Sequence, residues 1–231
     1  IYVRGCNIMT RILYMRNIKS RIFSLCVLIA TSVAAMHAQQ TTLTIDSLFA
    51  EMPDSVLPYL SRNNRLDLID FSKASMKAVV TNSFDEDCEM EQLADNYLRI
   101  RLNGCSIVEM KLKKADRLLP DSSEYMLYML KTVGCETKHS VLYRYTSRWN
   151  SLGEEQIQIS NPQELMERKM PVTDEEQDIL TNISRTMTIV GHLDGETDWM
   201  TVEPCLSGCT TDEKRLIEEK IALKTFKINL K

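Results

Sequence analysis

The sequence predicts an α+β fold in which antiparallel strands form one or more sheets and helices pack on one face. Pairs of alternating apolar and polar runs flank Asn103-Gly104 and Asp194-Gly195, and an Asx-Gly pair between such runs is a strong signal for a β-hairpin. Helical patterns precede each group of strands. The pattern lacks long helices between successive strands, which argues against a doubly wound parallel sheet.

The first 38 residues are predicted to direct export instead of contributing to the fold. Three basic residues stand before an apolar stretch, Ile22–Ala35, that is shorter than the roughly 20 residues needed to span a bilayer. A basic start, a short apolar core and small residues before Gln39 are typical of a secretory signal peptide, here residues 15–38. Residues 1–14 are interpreted as an upstream, non-structural segment.

The rest of the chain, residues 41–231, is predicted to be a single exported α+β domain. After processing it is not expected to span the membrane, and it is expected to lie in the periplasm or outside the cell. Helices followed by strands occur twice along it. This order suggests a quasi-repeat of a helix-pair-plus-sheet unit, with pseudo-halves 41–160 and 161–231.

Three helices are predicted at the start of this domain. Apolar residues spaced i, i+3, i+4 within Ile45–Phe49 predict the first. A second short helix is expected over Asp54–Leu60, with the aspartate as its cap. A third is expected over Arg65–Met76, capped by Asn64.

The predicted sheet begins after an acidic run, Asp85–Glu91, which is expected to be a solvated loop. Tyr97–Leu102 and Cys105–Leu112 are predicted to pair across Asn103-Gly104. The apolar residues change parity within the second of these strands. Either a bulge shifts the register near Ile107, or both faces of the strand are covered.

Further strands and helices are predicted in the remaining sequence. Helix starts are indicated by Asn161-Pro162 and by capping patterns at Thr173 and Thr210. The predicted strands are residues 124–133, 139–146, 157–159, 186–193, 196–202 and 225–230. The predicted main core consists of Leu98, Ile100, Leu102, Ile107, Tyr125, Leu127, Met129, Val141 and Tyr143.

The charge distribution argues against nucleic acid as a partner. Five of the 28 basic residues and none of the 32 acidic residues lie in residues 1–38, so the remaining chain has 23 basic against 32 acidic residues. An acidic body of this kind does not attract a phosphate backbone. With only 7 glycines in 231 residues, a glycine-rich phosphate-binding loop is also not expected.

Five cysteines follow the predicted signal peptide, and export places them where disulfides persist. Cys205 and Cys209 flank a glycine-containing turn, and this spacing predicts a local disulfide. Cys105 and Cys135 fall at apolar strand positions and are interpreted as small buried hydrophobic residues. A zinc site is not expected, because no second Cys/His pair has suitable spacing.

His192, Asp194, Glu196 and Asp198 alternate along one segment, and in an extended strand they would offer ligands to a cation on one side. We prefer to interpret them as a hairpin turn with solvated neighbours, because the segment fits no calcium-loop pattern. No metal and no cofactor are predicted. No catalytic residue is predicted either, since the motifs of nucleophile elbows, zinc peptidases and phosphate-binding loops are missing from the sequence.

The candidate binding residues are Tyr143, Tyr145 and Trp149, because tyrosine and tryptophan are enriched where proteins bind partners. The alternative for these side chains is a structural role in the core. The favoured function is a non-enzymatic module that binds an envelope protein, a peptide or a glycan. The alternative is a hydrolase without a recognisable catalytic motif.

Three segments carry a resemblance to a known family: LFAEMPDS (48–55), NNRLDLIDF (63–71) and MKAVVTN (76–82). They resemble domain of unknown function 3256, a family of secreted proteins from Gram-negative gut anaerobes, and the resemblance is strongest over residues 48–112. It implies export and a single α+β module. It implies no reaction, so no catalytic residue follows from it.

Overall fold

The computed structural model describes residues 43–157, 161–206 and 208–230, so the predicted signal peptide and upstream segment lie outside the described residues. These residues form an α+β fold with four helices and twelve strands, which confirms the predicted fold class. The helices are α1 (Ile45–Ala50), α2 (Arg62–Lys73), α3 (Asp174–Thr186) and α4 (Thr211–Lys220). The strands are β1 (Val79–Thr81), β2 (Asp87–Leu93), β3 (Tyr97–Asn103), β4 (Ser106–Lys114), β5 (Tyr125–Val133), β6 (His139–Thr146), β7 (Ser151–Gln156), β8 (Met166–Arg168), β9 (Thr188–Leu193), β10 (Trp199–Cys205), β11 (Ile221–Leu223) and β12 (Phe226–Asn229).

The strands form three antiparallel sheets. The largest contains β1 to β7, each paired with the next in sequence, as in a meander. The second has the order β12-β10-β9, and the third pairs β8 with β11. Short connections of this kind suit antiparallel neighbours, which need no crossover helix.

Two layers cover the seven-stranded sheet. Helices α1 and α2 pack on one face, as predicted, and the three-stranded sheet packs on the other. Helices α3 and α4 do not join the first pair; they form a third apolar cluster with β11, centred on Leu180, Ile183 and Ile217. The order of elements also differs between the proposed halves, because α4 lies between strands whereas α1 and α2 both precede them.

Strand β4 is buried on both faces. Val108, Met110 and Leu112 point to the helices, whereas Glu109 and Lys111 point to the three-stranded sheet and are only 2% and 0% exposed. A register shift between Arg101 and Asn103 places Ile100 opposite Val108. Both interpretations of the parity change are therefore correct: the register shifts beside Ile107, with the extra residue on β3, and both faces of β4 are covered.

Glu109 and Lys111 hold the three-stranded sheet in place. Glu109 accepts a hydrogen bond of 2.6 Å from the Leu193 amide and also pairs with Arg99. Lys111 donates a hydrogen bond of 2.7 Å to the Gly195 carbonyl. Buried charges need partners of this kind, because the cost of removing them from water is otherwise several kcal/mol.

The predicted helix over Asp54–Leu60 is wrong: this segment consists of turns. The buried Arg65 guanidinium binds the carbonyls of Met52 at 2.6 Å and Leu60 at 2.7 Å, one just before the segment and one at its end, and so holds it as a non-helical loop. The next helix, α2, starts earlier than predicted, because Ser61 caps it by accepting from the Asn64 amide.

The acidic run is also only partly a loop. Its second half belongs to β2, where Cys88 and Met90 are buried and Glu89 and Glu91 form ion pairs with arginines of β3. An alternating pattern was present there, but the density of charges concealed it. Of the strand predicted at 157–159, Ile157 is not in a strand and the other positions lie outside the described part of the chain. The described strand before it, β7 (Ser151–Gln156), was not predicted.

The local signals of the C-terminal half are confirmed. Thr173 and Thr210 form the predicted capping boxes with Glu176 and Glu213. Asn161 accepts a hydrogen bond from the Gln163 amide, but the helix it starts is a single 3₁₀ turn. The second hairpin has a longer loop than predicted, residues 194–198, because the Asp194 carboxylate accepts hydrogen bonds from the amides of residues 196 and 197.

Most of the predicted core is correct. Five of its nine residues are buried under α1 and α2: Leu98, Ile100, Leu102, Leu127 and Met129. Tyr125 and Tyr143 are half-buried against the same cluster. Ile107 and Val141 are also half-buried, but they do not belong to this cluster.

The disulfide of the structure joins Cys105 to Cys135, a pair interpreted from sequence as buried hydrophobic residues. It links the β3–β4 turn to the segment after β5. The predicted Cys205–Cys209 bridge is not formed. Cys209 instead packs with Leu206 against the cluster of α3 and α4, and burial raises the pKa of its thiol. The two cysteine pairs thus have the opposite roles from those predicted.

We expect Lys111→Met to lower the free energy of unfolding by about 1–3 kcal/mol, because the Gly195 carbonyl loses its donor in a buried place. Urea unfolding monitored by circular dichroism measures this. The matched control is Lys114→Met on the same strand, whose side chain is exposed and which should change stability by less than about 0.5 kcal/mol. Equal effects of the two substitutions would contradict the tethering role of Lys111.

In protein purified from an oxidising compartment, Cys105 and Cys135 should resist alkylation in denaturant until a reductant is added. Cys88 and Cys209 serve as internal controls, because they should be alkylated without reductant once the chain is unfolded. Mass analysis of the peptides distinguishes the four positions. Direct alkylation of Cys105 or Cys135 would show that the bridge is not formed.

Candidate functional site

The candidate site is an open cleft of about 460 Å³ on the helix-facing side of the seven-stranded sheet. We call it the aromatic cleft. Its roof is the turn segment 55–59, its floor is formed by β4, β5 and β6, and its rim includes Phe84 from the β1–β2 connection. Concave sites of this volume are typical of small-ligand and side-chain binding.

The roof is held by Arg65, which is 1% exposed on α2. Its guanidinium binds the two carbonyls that flank the roof segment, as described above, and the Asp54 carboxylate at 2.9 Å. A planar guanidinium with several fixed donors suits this task, since it binds acceptors in set directions. The cleft is therefore preformed by a buried cation and does not depend on a regular element for its roof.

The floor contains one cation, Lys131 of β5. Its ammonium donates a hydrogen bond of 2.7 Å to the Val56 carbonyl and lies 4.9 Å from the centre of the Tyr143 ring. Burial lowers the pKa of Lys131, because water is excluded from the charged group. An ammonium has three donors and the Val56 carbonyl takes one, so the group can bind a further acceptor.

The rim exposes two aromatic rings. Tyr59 and Phe84 are 41% and 65% exposed, and their ring centres are 5.3 Å apart with a tilt of 43°. Asn82 fixes the position of Phe84, because its buried side chain accepts from the Phe84 amide at 2.8 Å and donates to the Leu102 carbonyl at 3.0 Å. Aromatic rings held in this way offer a large contact area at little entropic cost.

The structure separates the three aromatic residues predicted from sequence. Tyr143 lies in the aromatic cleft. Tyr145 and Trp149 lie outside its lining, half-buried against the helix-facing core, with ring centres 5.4 Å apart. The Trp149 indole donates a hydrogen bond of 3.2 Å to the Leu48 carbonyl, so it fastens α1 to the sheet. The structural alternative therefore describes these two residues.

Sequence reasoning missed Tyr59, Phe84 and Lys131. One signal was available for Lys131, since it is a single charge in an otherwise apolar strand, YMLYMLKTV. Tyr59 and Phe84 lie in turn segments, where periodicity carries no information about which side chains meet. The two segments are joined by a hydrogen bond of 3.0 Å from the Ser83 amide to the Tyr59 carbonyl, which no local pattern indicates.

The histidine that sequence analysis discussed lies on the other face of the sheet. His192 stands between Glu109 at 3.4 Å and Glu203 at 3.3 Å, and the hydrogen bond with Glu109 raises its pKa. Backbone hydrogen bonds in the loop lower the pKa of Asp194 to about 2. Among the described residues no group of three or more potential ligands is placed to hold a metal ion.

The negative charges of the loop after His192 face a buried cation. Burial lowers the pKa of Lys111, and the charges of Asp194, Glu196 and Asp198 oppose that effect. The carboxylates thus favour the charged form of Lys111, and one of them, Asp198, pairs with Lys113 of the same strand at 3.5 Å. This is a structural contact between two sheets, in agreement with the turn interpretation.

Within the described part of the chain, none of the helices is sufficiently long and apolar to cross a bilayer.

Comparison with known proteins gives a family and a fold. A domain of an uncharacterized protein from Porphyromonas gingivalis W83 has a similar structure, with a TM-score of 0.58 over 80% of this chain and 92% of that chain, at 20% sequence identity. No curated protein is significantly similar to the chain. The model of a family described as protein of unknown function (DUF3256) matches residues 34–226, well beyond the segments that suggested it. The chain therefore belongs to the DUF3256 family.

Proposed function

We propose that the chain is an exported, non-enzymatic module that binds a peptide segment of an envelope partner in the aromatic cleft. The observation that carries this proposal is the combination of two exposed aromatic rings with a desolvated ammonium in one concave site. Aromatic residues in such places contribute most of the binding energy in many interfaces.

The chemistry of the cleft favours a peptide with an apolar or aromatic side chain. Tyr59 and Phe84 provide faces against which such a side chain packs, and Leu57 and Val108 line the interior. The remaining N–H groups of Lys131 then donate hydrogen bonds to a backbone carbonyl or a terminal carboxylate of the peptide. Such a mixture of apolar walls with few directional polar groups is typical of specific binding sites.

Two observations support export. Residues 15–38 have the pattern of a signal peptide. The Cys105–Cys135 disulfide is a bond that persists in oxidising compartments and is rare in the cytosol. The disulfide also borders the aromatic cleft, because Asn103, Ser106 and Val133 line it.

Binding is preferred to the hydrolase alternative on the basis of geometry. His139 begins β6 and His192 lies on the opposite face of the sheet, and neither lines the aromatic cleft. The cleft presents aromatic faces, amides, hydroxyls and one ammonium. These groups bind and orient a peptide.

A short-peptide display library tests the proposal. Selection on the purified protein should enrich peptides with an apolar or aromatic residue. Phe84→Ala should lower the affinity for a selected synthetic peptide about tenfold, as expected when an aromatic hot spot is truncated. Lys131→Met should lower the affinity for the same peptide by a similar factor, because a charge-assisted hydrogen bond is lost. Titration calorimetry measures both effects.

The matched control is Met170→Ala, since Met170 is 55% exposed and does not line the cleft. This variant should bind the selected peptide as well as the unaltered protein does. Peptides that bind the Phe84→Ala protein with undiminished affinity would contradict the proposal. Saturable binding of a glycan at the same residues, with no peptide enriched, would replace the peptide by a carbohydrate ligand.

A further inference from the structure

A second cleft, of about 270 Å³, lies between the seven-stranded and the three-stranded sheet. We call it the inter-sheet cleft. Leu142 and Arg144 of β6 form one wall, and Met200, Ile228 and Leu230 form the other. It lies on the opposite face of β6 from the aromatic cleft, because Arg144 and Tyr143 are neighbours in a strand and point to opposite sides.

The walls of this cleft are apolar. Leu142, Met200 and Leu230 are buried, whereas Ile228 on the edge strand β12 is 42% exposed and marks the opening. Such a site excludes water from an alkyl or aryl group placed between the sheets. Each methylene that moves from water into this cleft therefore adds to the affinity.

Arg144 is the feature that the fold itself does not explain. Its Nε is buried and has no hydrogen-bond partner. The Nε of Arg65 is also without a partner, but its two terminal nitrogens bind carbonyls of this chain. Among the described residues, no side-chain hydrogen bond or ion pair is formed by Arg144. Glu155 lines the same cleft, but the ion pairs of the described residues do not include one between it and Arg144.

A partly buried guanidinium without an acceptor is costly, and a ligand that supplies one removes the cost. The fork of a guanidinium matches the two oxygens of a carboxylate, which it binds through two parallel hydrogen bonds. The charge of Arg144 also reaches into the apolar region, since it acts on the pKa of Tyr128, which burial raises to about 12. The guanidinium donor and the apolar wall are thus adjacent.

We propose that the inter-sheet cleft binds a small amphipathic carboxylate, with its carboxylate on Arg144 and its hydrocarbon chain between the two sheets. The volume lies just below the range of drug-sized sites, so a short chain is favoured over a long one. The site is independent of the aromatic cleft and does not rest on the function proposed there.

Sodium octanoate is the probe, titrated calorimetrically into the purified protein, with octanol as the neutral analogue. Octanoate should bind saturably at one site. The affinity for octanol should be lower by about tenfold or by a larger factor, because octanol cannot form the ion pair. Arg144→Gln should lower the affinity for octanoate by about 10- to 100-fold. Its affinity for octanol should stay within about threefold of that of the unaltered protein.

Glu155→Gln is a second variant, and it should change the affinity for octanoate in the opposite direction. It removes a negative charge from the lining, so octanoate should bind a few-fold more tightly and octanol should be unaffected. This result keeps the test decisive if Arg144→Gln fails to fold. Phe84→Ala, in the aromatic cleft, is the control and should not change octanoate binding.

Three outcomes would overturn the proposal. The first is no saturable binding of octanoate by the unaltered protein. The second is equal affinity for octanoate and octanol, which would show a merely apolar site. The third is an unchanged or weakened affinity in Glu155→Gln, which would show that the carboxylate of the ligand does not lie in this cleft. None of these results bears on peptide binding at the aromatic cleft.

Discussion

The fold depends on buried cations that bind backbone carbonyls. Lys111 binds the loop after β9, Lys131 binds the roof of the aromatic cleft, and Arg65 binds the same roof from the helix side. In each case the cation holds an irregular segment against a helix or a strand. The bound carbonyls of that segment have no partner in a helix or a sheet. Since buried carbonyls without donors are costly, these contacts allow turns to lie next to the core.

Lys111 and Glu109 show why the position of such groups matters. They are two residues apart on β4, so they point to the same side, and together they bind the amide of Leu193 and the carbonyl of Gly195. Two opposite charges thus hold the start of a short loop. Because that loop joins β9 to β10, these contacts help to place the three-stranded sheet, together with the hydrogen bond of 3.0 Å from the Gly191 amide to the Ser140 hydroxyl of β6.

The sequence predicts a feature when the interaction that forms it joins residues close together in the chain, and it fails when that interaction joins distant residues. The hairpin at Asn103-Gly104 and the capping boxes at Thr173 and Thr210 depend on residues within a few positions, and they are correct. The contacts that shape the two clefts join residues 75 and 84 positions apart, and no periodicity reports them. The cysteines follow the same rule, because a spacing argument favours the nearby pair, whereas the bond of the structure spans 30 residues.

Strand β6 connects both candidate sites. The sequence indicated it as aromatic and identified Tyr143, but gave no sign that Arg144 beside it is without an acceptor, since that depends on where β7 places its carboxylates. The alternation of a strand sends these two neighbours into different clefts, separated by the thickness of one sheet. A side-chain change in one cleft therefore reaches the other only by moving the backbone of β6, which is paired on both sides with β5 and β7. Such a strand resists displacement, so the two sites are expected to accept their ligands independently.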